Sequence, residues 1–187
     1  LLPLFLAFLL PVTTARAAFS GDELSAVIAD VSQYVYQAVP SPQVAAVGGE
    51  WAVIALARGG YAVREDYFPG YRDRLEAILA EKDGVLHERK YTEYARAILA
   101  LSALGQDARD VGGWDLTLPL ADYEKVLRQG LNGPIWALIA LDSANYPVPQ
   151  APQATTQATR QMYVDEILSR QLENGGWSMG GTENAQA

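Results

Sequence analysis

The sequence of 187 residues contains no cysteine and only one histidine. Without thiols the chain can form neither disulfide bonds nor thiolate metal sites, so its stability must come from a packed core. The single histidine, His87, lies in the polar stretch LHERK, and no Ser or Cys nucleophile pattern accompanies it. We therefore expect a solvated loop histidine here, and neither a catalytic residue nor a metal site in the chain.

Positive charge is also scarce. The chain has 14 Lys and Arg residues against 22 Asp and Glu residues, and its formal net charge is −8. No cluster of Lys or Arg supplies the electrostatic surface that binding to a phosphate backbone requires. Nucleic acid is therefore not an expected partner.

Long hydrophobic runs are absent, and the longest apolar stretch, residues 1–10 (LLPLFLAFLL), lies at the start of the sequence. It is too short to cross a bilayer, which needs about 20 apolar residues. The small-x-small site Ala15-Arg16-Ala17 follows it, as in a secretory signal. We interpret residues 1–17 as a signal peptide without its basic start, and expect a mature protein that begins near Ala18 and is secreted or attached to the cell surface.

The most informative feature present is an internal repeat. Residues 51–61 (WAVIALARGGY) and 136–146 (WALIALDSANY) are identical at six of eleven positions, and residues 94–104 (YARAILALSAL) form a looser copy. The starts at Trp51, Tyr94 and Trp136 are 43 and 42 residues apart. A fixed period of this size indicates helical hairpins that bury their apolar faces against their neighbours.

Capping residues and glycines divide the chain into helices. The capping box of Ser20 and Glu23 predicts a first helix that ends near Val39. Thr92 is the expected cap of the second repeated helix, and Pro134 is the expected first residue of the third. Helices with charged faces are predicted at residues 71–82, 120–131 and 159–173.

The two kinds of helix differ in where they can lie. The repeated helices are rich in alanine and apolar nearly all round, whereas the others carry a charged stripe. An apolar helix must lie between layers and a striped one must face water. We therefore predict an all-α fold whose Ala-rich helices form an inner layer and line a concave surface.

Two loops share a pattern of Gln, a few residues and Gly-x-Trp: Gln106, Gly112 and Trp114 in one, and Gln171, Gly175 and Trp177 in the other. The pattern resembles the QW repeat of squalene and oxidosqualene cyclases, which occurs more loosely across the prenyltransferase and squalene-oxidase repeat superfamily. The resemblance implies an α/α toroid of two concentric helical layers. It also implies that the glutamines hydrogen-bond helix ends and that the tryptophans stack on neighbouring helix termini, which are structural roles.

Within that superfamily the chain is most similar to secreted bacterial repeat proteins. Many of these are terpene-cyclase-like proteins with a C-terminal domain similar to that of cobalamin carriers such as transcobalamin and intrinsic factor. The family toroid has six hairpins, so residues 18–187 would form a partial toroid domain of about three and a half hairpins. Cobalamin is thus one ligand that the resemblance suggests.

The catalytic motifs of the superfamily do not occur in this sequence. Class II cyclases use an Asp-x-Asp-Asp motif, which none of the acidic groups forms. The zinc site of protein prenyltransferases needs Asp, Cys and His, and the thioester of complement-type proteins needs Cys. We therefore favour a protein without catalytic activity of its own, and any enzyme of this type would be terpene-cyclase-like.

The remaining candidates for function lie around the ends of the repeated helices. An aromatic residue begins each helix (Trp51, Tyr94 and Trp136), and polar residues lie near it: Glu50, Glu93, Arg96, Asn132, Asp142 and Asn145. In one interpretation, which we favour, the aromatics are core residues and the asparagines cap helix ends. In the other, Tyr94, Arg96, Asn132, Trp136, Asp142 and Asn145 line a toroid mouth that holds a flat, partly polar ligand.

The functional hypothesis is therefore a secreted or surface toroid domain that binds a small ligand, such as a corrinoid, an oligosaccharide or a peptide, or a cell-surface partner. Three alternatives remain. One is a terpene-cyclase-type enzyme whose acidic motif lies outside this sequence. Another is a carbohydrate-active α/α-barrel, which needs paired carboxylates at its mouth. The third is a purely structural surface module.

Overall fold

The computed structural model describes residues 20–46 and 48–178. This part of the chain is all-α, with seven α-helices and no strand. The helices are α1 (Gly21–Ala38), α2 (Gly49–Arg58), α3 (Tyr67–Glu81), α4 (Tyr91–Ala103), α5 (Tyr123–Leu127), α6 (Asn132–Asp142) and α7 (Arg160–Ser169). None of the described helices is long and apolar enough to cross a membrane. The predicted signal peptide, residues 1–17, lies outside the described residues.

Helix α1 begins at the predicted capping box. The backbone amide of Ser20 donates to Glu23 at 2.8 Å, and the amide of Glu23 donates to the Ser20 hydroxyl at 3.2 Å. The helix ends at Ala38, as predicted. Its apolar residues Leu24, Val27 and Val31 are exposed, and α1 contacts the rest of the protein through its second half.

The three repeated helices lie side by side, with α4 between α2 and α6. The side chains of Trp51 and Trp136, from the first turns of α2 and α6, are in contact. The hydroxyls of Ser102 and Ser143, near the opposite ends of α4 and α6, are 2.7 Å apart. Contacts between like ends mean that the helices run in the same direction.

Helix α4 is buried almost all round because it is flanked on both sides. Its alanines, Ala95, Ala97 and Ala100, are at most 1% exposed. Small side chains let neighbouring helices approach closely, which explains why the repeated segments are rich in alanine. Helix α3 adds Tyr71, Leu75 and Leu79 to the same core.

All three repeated helices end in a Schellman motif, in which a left-handed residue turns the chain back over the last helical turn. The left-handed residues are Gly60, Gly105 and Asn145, with φ of 64°, 69° and 56°. The next amide donates to the carbonyl of a fully buried leucine, over 3.1, 2.9 and 2.8 Å for Leu56, Leu101 and Leu141.

These shared ends correct the register predicted for the second repeat. The residue five positions before the buried leucine is Trp51 in α2 and Trp136 in α6. In α4 the equivalent residue is Arg96, not Tyr94. The spacings are therefore 45 and 40 residues instead of 43 and 42. The aromatic-Ala pair at Tyr94 resembles the starts of the other two copies but is not at the equivalent position. The register between the copies is defined by the hydrogen bonds at their carboxyl ends.

Several helix starts also differ from prediction. Helix α4 begins at Tyr91 without a side-chain cap, so Thr92 is not its cap. Helix α6 begins at Asn132, which places Pro134 third in the helix. Pro134 is still tolerated because the first turn of a helix leaves its amides without partners.

Two charged-face helices are shorter than predicted. In place of one helix at residues 120–131, the chain forms a 3₁₀ turn at Leu118–Ala121 and then the short helix α5. The two are separate because the Asp122 side chain caps a new helix by accepting from the Lys125 amide. Gly130, with φ of 60°, then turns the chain toward α6. Helix α7 covers Arg160–Ser169 of the predicted residues 159–173, with Thr159 as its cap.

Candidate functional site

A partly exposed surface runs across the repeated helices near their starts. We define the repeat face as six residues that occupy two equivalent positions in each of the three helices. The position nearer the helix start is occupied by Trp51, Arg96 and Trp136, and the position three residues later by Ile54, Leu99 and Ile139. The rings of Trp51 and Trp136 have centroids 5.5 Å apart and are tilted by 59°. Trp51 is 43% exposed and Ile139 is also 43% exposed. The repeat face is thus an apolar surface open to solvent.

This geometry corrects the core interpretation for Trp51, whereas Trp136 packs against the core with part of its ring accessible. Trp51 is exposed and Trp136 is half-buried, whereas only Tyr94 is buried, at 3%. The Tyr94 hydroxyl accepts a hydrogen bond from the His87 amide at 3.3 Å, on the far side of α4 from Arg96. Tyr94 therefore does not belong to the repeat face.

Arg96 pairs with Glu93 on its own helix and with Glu50 on α2. Its Nη2 donates to Glu93 Oε2, and its Nε lies 3.7 Å from Glu50 Oε2. Glu50 Oε1 also accepts from the Ala45 amide at 2.6 Å and from the Tyr71 hydroxyl at 3.4 Å. Two carboxylates thus surround one guanidinium, so the repeat face has no uncompensated positive charge.

Burial raises the pKa of Glu50, although the Ala45 amide and Arg96 act in the opposite direction. A raised carboxyl pKa beside a second carboxylate is the pattern of a glycosidase acid. Glu50, however, is 1% exposed and faces Tyr71 in the interior, where a substrate cannot reach it. The cluster therefore fixes the position of α2 against α4 and does not provide acid–base catalysis.

The other predicted ligand residues lie at two separate places. Asn132 is exposed at the start of α6, one turn from Trp136. Asp142 and Asn145 lie at the opposite end, about 15 Å from Asn132 along the helix. Asp142 forms an exposed salt bridge with Arg160 at 2.7 Å, and Asn145 is the left-handed residue of the Schellman motif. Asn132, Arg96 and Trp136 are therefore brought together, whereas Asp142 and Asn145 are not part of this group.

The first QW-type loop packs against α3. The Gln106 side-chain oxygen accepts from Arg72 of α3 at 3.1 Å, and Arg72 also donates to the Asp110 carbonyl at 3.1 Å. Trp114 packs against Gly84, which follows α3, so closely that a Cβ atom on Gly84 would lie 2.3 Å from the ring. Gly112, with φ of 61°, lies next to the side chain of Glu76. The loop thus contacts α3 at Arg72 and Glu76 and the turn after it at Gly84, which is a structural role.

The second QW-type loop contacts the end of α7. The indole N–H of Trp177 donates to the Ile167 carbonyl at 2.7 Å. The Gln171 side chain donates to the Gly175 carbonyl within its own loop, at 2.8 Å. Gln171 therefore stabilises the loop itself, while Trp177 reaches the helix end.

His87 is half-buried and differs from the solvated residue expected. Its Nδ1 accepts from the backbone amides of Arg89 and Lys90, at 3.0 and 3.1 Å. These amides precede α4, so His87 orders the turn that leads into the helix and does not cap it. In the first turn of α4 the Thr92 amide donates to the Gln129 side-chain oxygen at 2.9 Å.

Among the described residues, no group of three or more His, Cys, Asp or Glu side chains could hold a metal ion. Comparisons with protein-family models, with curated proteins and with solved structures find no match to the chain.

Proposed function

We propose that this protein is a binding domain without catalytic activity, secreted or held at the cell surface, and that its ligand contacts the repeat face. In this proposal α2, α4 and α6 belong to the inner layer of an α/α toroid, with α3, α5 and α7 in the outer layer. The observation that carries it is the Trp51–Trp136 pair at equivalent positions of parallel helices, in which Trp51 is exposed and Trp136 is half-buried.

The charge of the repeat face defines the class of ligand. Because Glu50 and Glu93 neutralise Arg96, the face offers no free cation to an anionic ligand. Indole rings and the aliphatic residues Leu99 and Ile139 favour contact with the flat, apolar side of a ring system. We therefore propose a neutral ligand with a flat ring face and polar edges.

A corrinoid and an oligosaccharide both satisfy this description. The tryptophan pair fits the face of a corrin ring or the apolar face of a sugar, and the exposed Asn132 amide fits a polar edge. If a corrinoid is the ligand, it would be bound as cargo by these residues.

The test is calorimetric titration of the protein with cyanocobalamin and, separately, with cellohexaose. One of them should bind with 1:1 stoichiometry. Trp51→Ala and Trp136→Ala should each weaken that binding by roughly tenfold or more, as loss of an aromatic anchor does. Trp177→Ala is the matched control, because Trp177 is equally exposed, at 42%, but lies outside the repeat face.

The same variants test where the tryptophans lie. A buried tryptophan would cost about 3–5 kcal/mol on truncation. Because Trp51 is 43% exposed, we expect each truncation to lower the free energy of unfolding by about 1–2 kcal/mol. Folded variants that bind both ligands as the unaltered protein does would contradict the proposed face.

Export is tested separately. Expressed with a restored start, the protein should be found outside the cytoplasm with its amino terminus near Ala18, as determined by mass spectrometry. Recovery of the intact leucine-rich start from a membrane fraction would contradict this part of the proposal.

A further inference from the structure

A second concave site lies on the other side of α4 from the repeat face. Tyr91 and Tyr94 point away from Arg96 because successive helical residues are rotated by about 100°. Together with the segment that joins α3 to α4, the Trp114 loop and residues 151–154, they line a cavity of about 300 Å³ that is open to solvent on one side. This volume is at the small end of the range for ligand pockets.

The walls of this cavity are aromatic and held in place. The Tyr91 and Tyr94 rings have centroids 5.6 Å apart, and Trp114 is fixed against Gly84. The Tyr94 hydroxyl is occupied by the His87 amide, whereas the Tyr91 hydroxyl makes no hydrogen bond to any described residue. The cavity therefore has preformed ring surfaces and one hydroxyl available to a ligand.

The charged groups around the cavity are mainly acidic. Four carboxylates line it, from Asp83, Glu88, Asp115 and Asp122, against one amine, Lys125. Lys125 is paired with Asp122 at 3.3 Å, which leaves the other three carboxylates without a cation in the lining. His87 also lines the cavity, and its Nδ1 accepts two amide protons, which a doubly protonated ring cannot do.

We propose that this cavity binds a small organic cation, namely a protonated amine carried on a compact ring. The ammonium group donates to the Tyr91 hydroxyl oxygen and is attracted by the acidic rim, and the ring of the ligand packs against the aromatic walls. An anionic ligand is disfavoured because carboxylates outnumber the single amine of the lining. The site is independent of the repeat face, and this proposal does not depend on the proposed function.

The probes are three compounds of similar size that differ in charge: phenethylammonium, 2-phenylethanol and phenylacetate. They are titrated into ¹⁵N-labelled protein while the amide and indole resonances are followed by NMR. Phenethylammonium should shift the Gly84 amide and the Trp114 indole signals in a saturable manner, and added salt should weaken its binding because surface charges are screened. The neutral probe should bind more weakly and the anionic probe should not bind.

The variants separate charge from shape. Asp83 has φ of 52°, which asparagine also tolerates, so Asp83→Asn removes charge without backbone strain. Combined with Glu88→Gln, it should weaken phenethylammonium binding roughly three- to tenfold. Tyr91→Phe keeps the ring and should weaken binding about fivefold through loss of the hydroxyl. Glu81→Gln, an exposed position outside the cavity, is the matched control and should change nothing.

Binding that is unchanged in Trp136→Ala but weakened at least threefold in the double variant would assign the cation to this cavity. The proposal is overturned if phenethylammonium shows no saturable shift at millimolar concentration. It is also overturned if all three probes bind equally, or if the double variant, shown to be folded by its NMR spectrum, binds as the unaltered protein does.

Discussion

The two ends of the repeated helices are built on different principles. At their carboxyl ends α2, α4 and α6 are alike, because each closes with a left-handed residue and a hydrogen bond back to a buried leucine. At their amino ends they differ. Gly49 of α2 lies against the Gln43 carbonyl, the Thr92 amide of α4 donates to the Gln129 side chain at 2.9 Å, and Gly133 of α6 lies against the Val126 carbonyl.

The difference shows which part of a repeat is set locally. A Schellman motif needs only residues within one turn, so it can occur unchanged in every copy. A helix start depends on contacts with other segments of the chain, and these segments differ in length and sequence. The proposed ligand sites both lie toward this end, where α4 presents Arg96 at the position that tryptophan occupies in α2 and α6.

The strongest test of this comparison is to add a methyl group at two helix starts. A Cβ atom would lie 1.9 Å from the Gln43 carbonyl oxygen in Gly49→Ala and 2.0 Å from the Val126 carbonyl oxygen in Gly133→Ala. Because backbone must move in each case, we expect a loss of at least about 3 kcal/mol in the free energy of unfolding. Urea denaturation measures it, and a loss below about 1 kcal/mol for both would mean that these contacts are not tight.

The next largest effect concerns the link between α2 and α4. Arg96→Met keeps much of the side-chain volume but leaves Glu50 and Glu93 without their cation. We expect a loss of about 2–3 kcal/mol, less than for a fully buried pair because the Arg96 side chain is 23% exposed. Arg128→Met, at an exposed position of the chain, is the control and should have little effect in the same urea titrations.

A smaller, pH-dependent effect should come from Glu50. Because burial raises its pKa in the folded protein above that of the unfolded chain, folding is favoured by protonation. This contribution is fully present below the unfolded pKa and is lost as the pH rises through the folded pKa. Relative to Glu50→Gln, the unaltered protein should thus lose stability as pH increases above about 4.5, by at most about 1.4 kcal/mol per pH unit.

Urea titrations of both proteins between pH 4 and pH 7 would measure this difference. Comparing the two proteins cancels the opposite contributions of carboxylates such as Asp107, whose pKa Arg109 lowers to about 2. A stability difference that does not change with pH would contradict the shift assigned to Glu50.

The smallest effects are expected at the carboxyl ends. Gly60 and Gly105 have open space around them, so an added methyl group meets only backbone strain. Gly60→Ala and Gly105→Ala should each cost about 0.5–1 kcal/mol, and Asn145→Gly should be neutral or slightly stabilising. Thermal unfolding would detect them. If Gly105→Ala cost as much as Gly133→Ala, the two ends would not differ as proposed.

Much of the fold could be predicted from the sequence. The capping box of Ser20 and Glu23, the glycines after α2 and α4, and the all-α class follow from local patterns, and the structure confirms them. The Trp51–Trp136 pair was identified as a repeat, but its exposure was not. Periodicity identifies an apolar position without showing whether another layer covers it.

The candidate sites were less predictable because they join residues distant in sequence. Arg96 meets Glu50 across 46 positions, and Trp51 meets Trp136 across 85. The cavity at Tyr91 combines three segments, and no spacing in the sequence brings Trp114 or Gln153 to it. Conversely, Asp142 and Asn145 follow Trp136 closely in sequence but lie at the other end of the same helix.

The sequence by itself determined the helical class, the repeat, the places where the repeated helices end and the absence of thiol chemistry, because these depend on composition and on contacts within one turn. Only the tertiary structure decided that Arg96 occupies the tryptophan position in α4, that its charge is neutralised, and that Tyr94 faces a separate acidic cavity. These properties depend on how neighbouring helices are aligned, and that alignment is set by packing between segments that the chain separates by 40 or more residues.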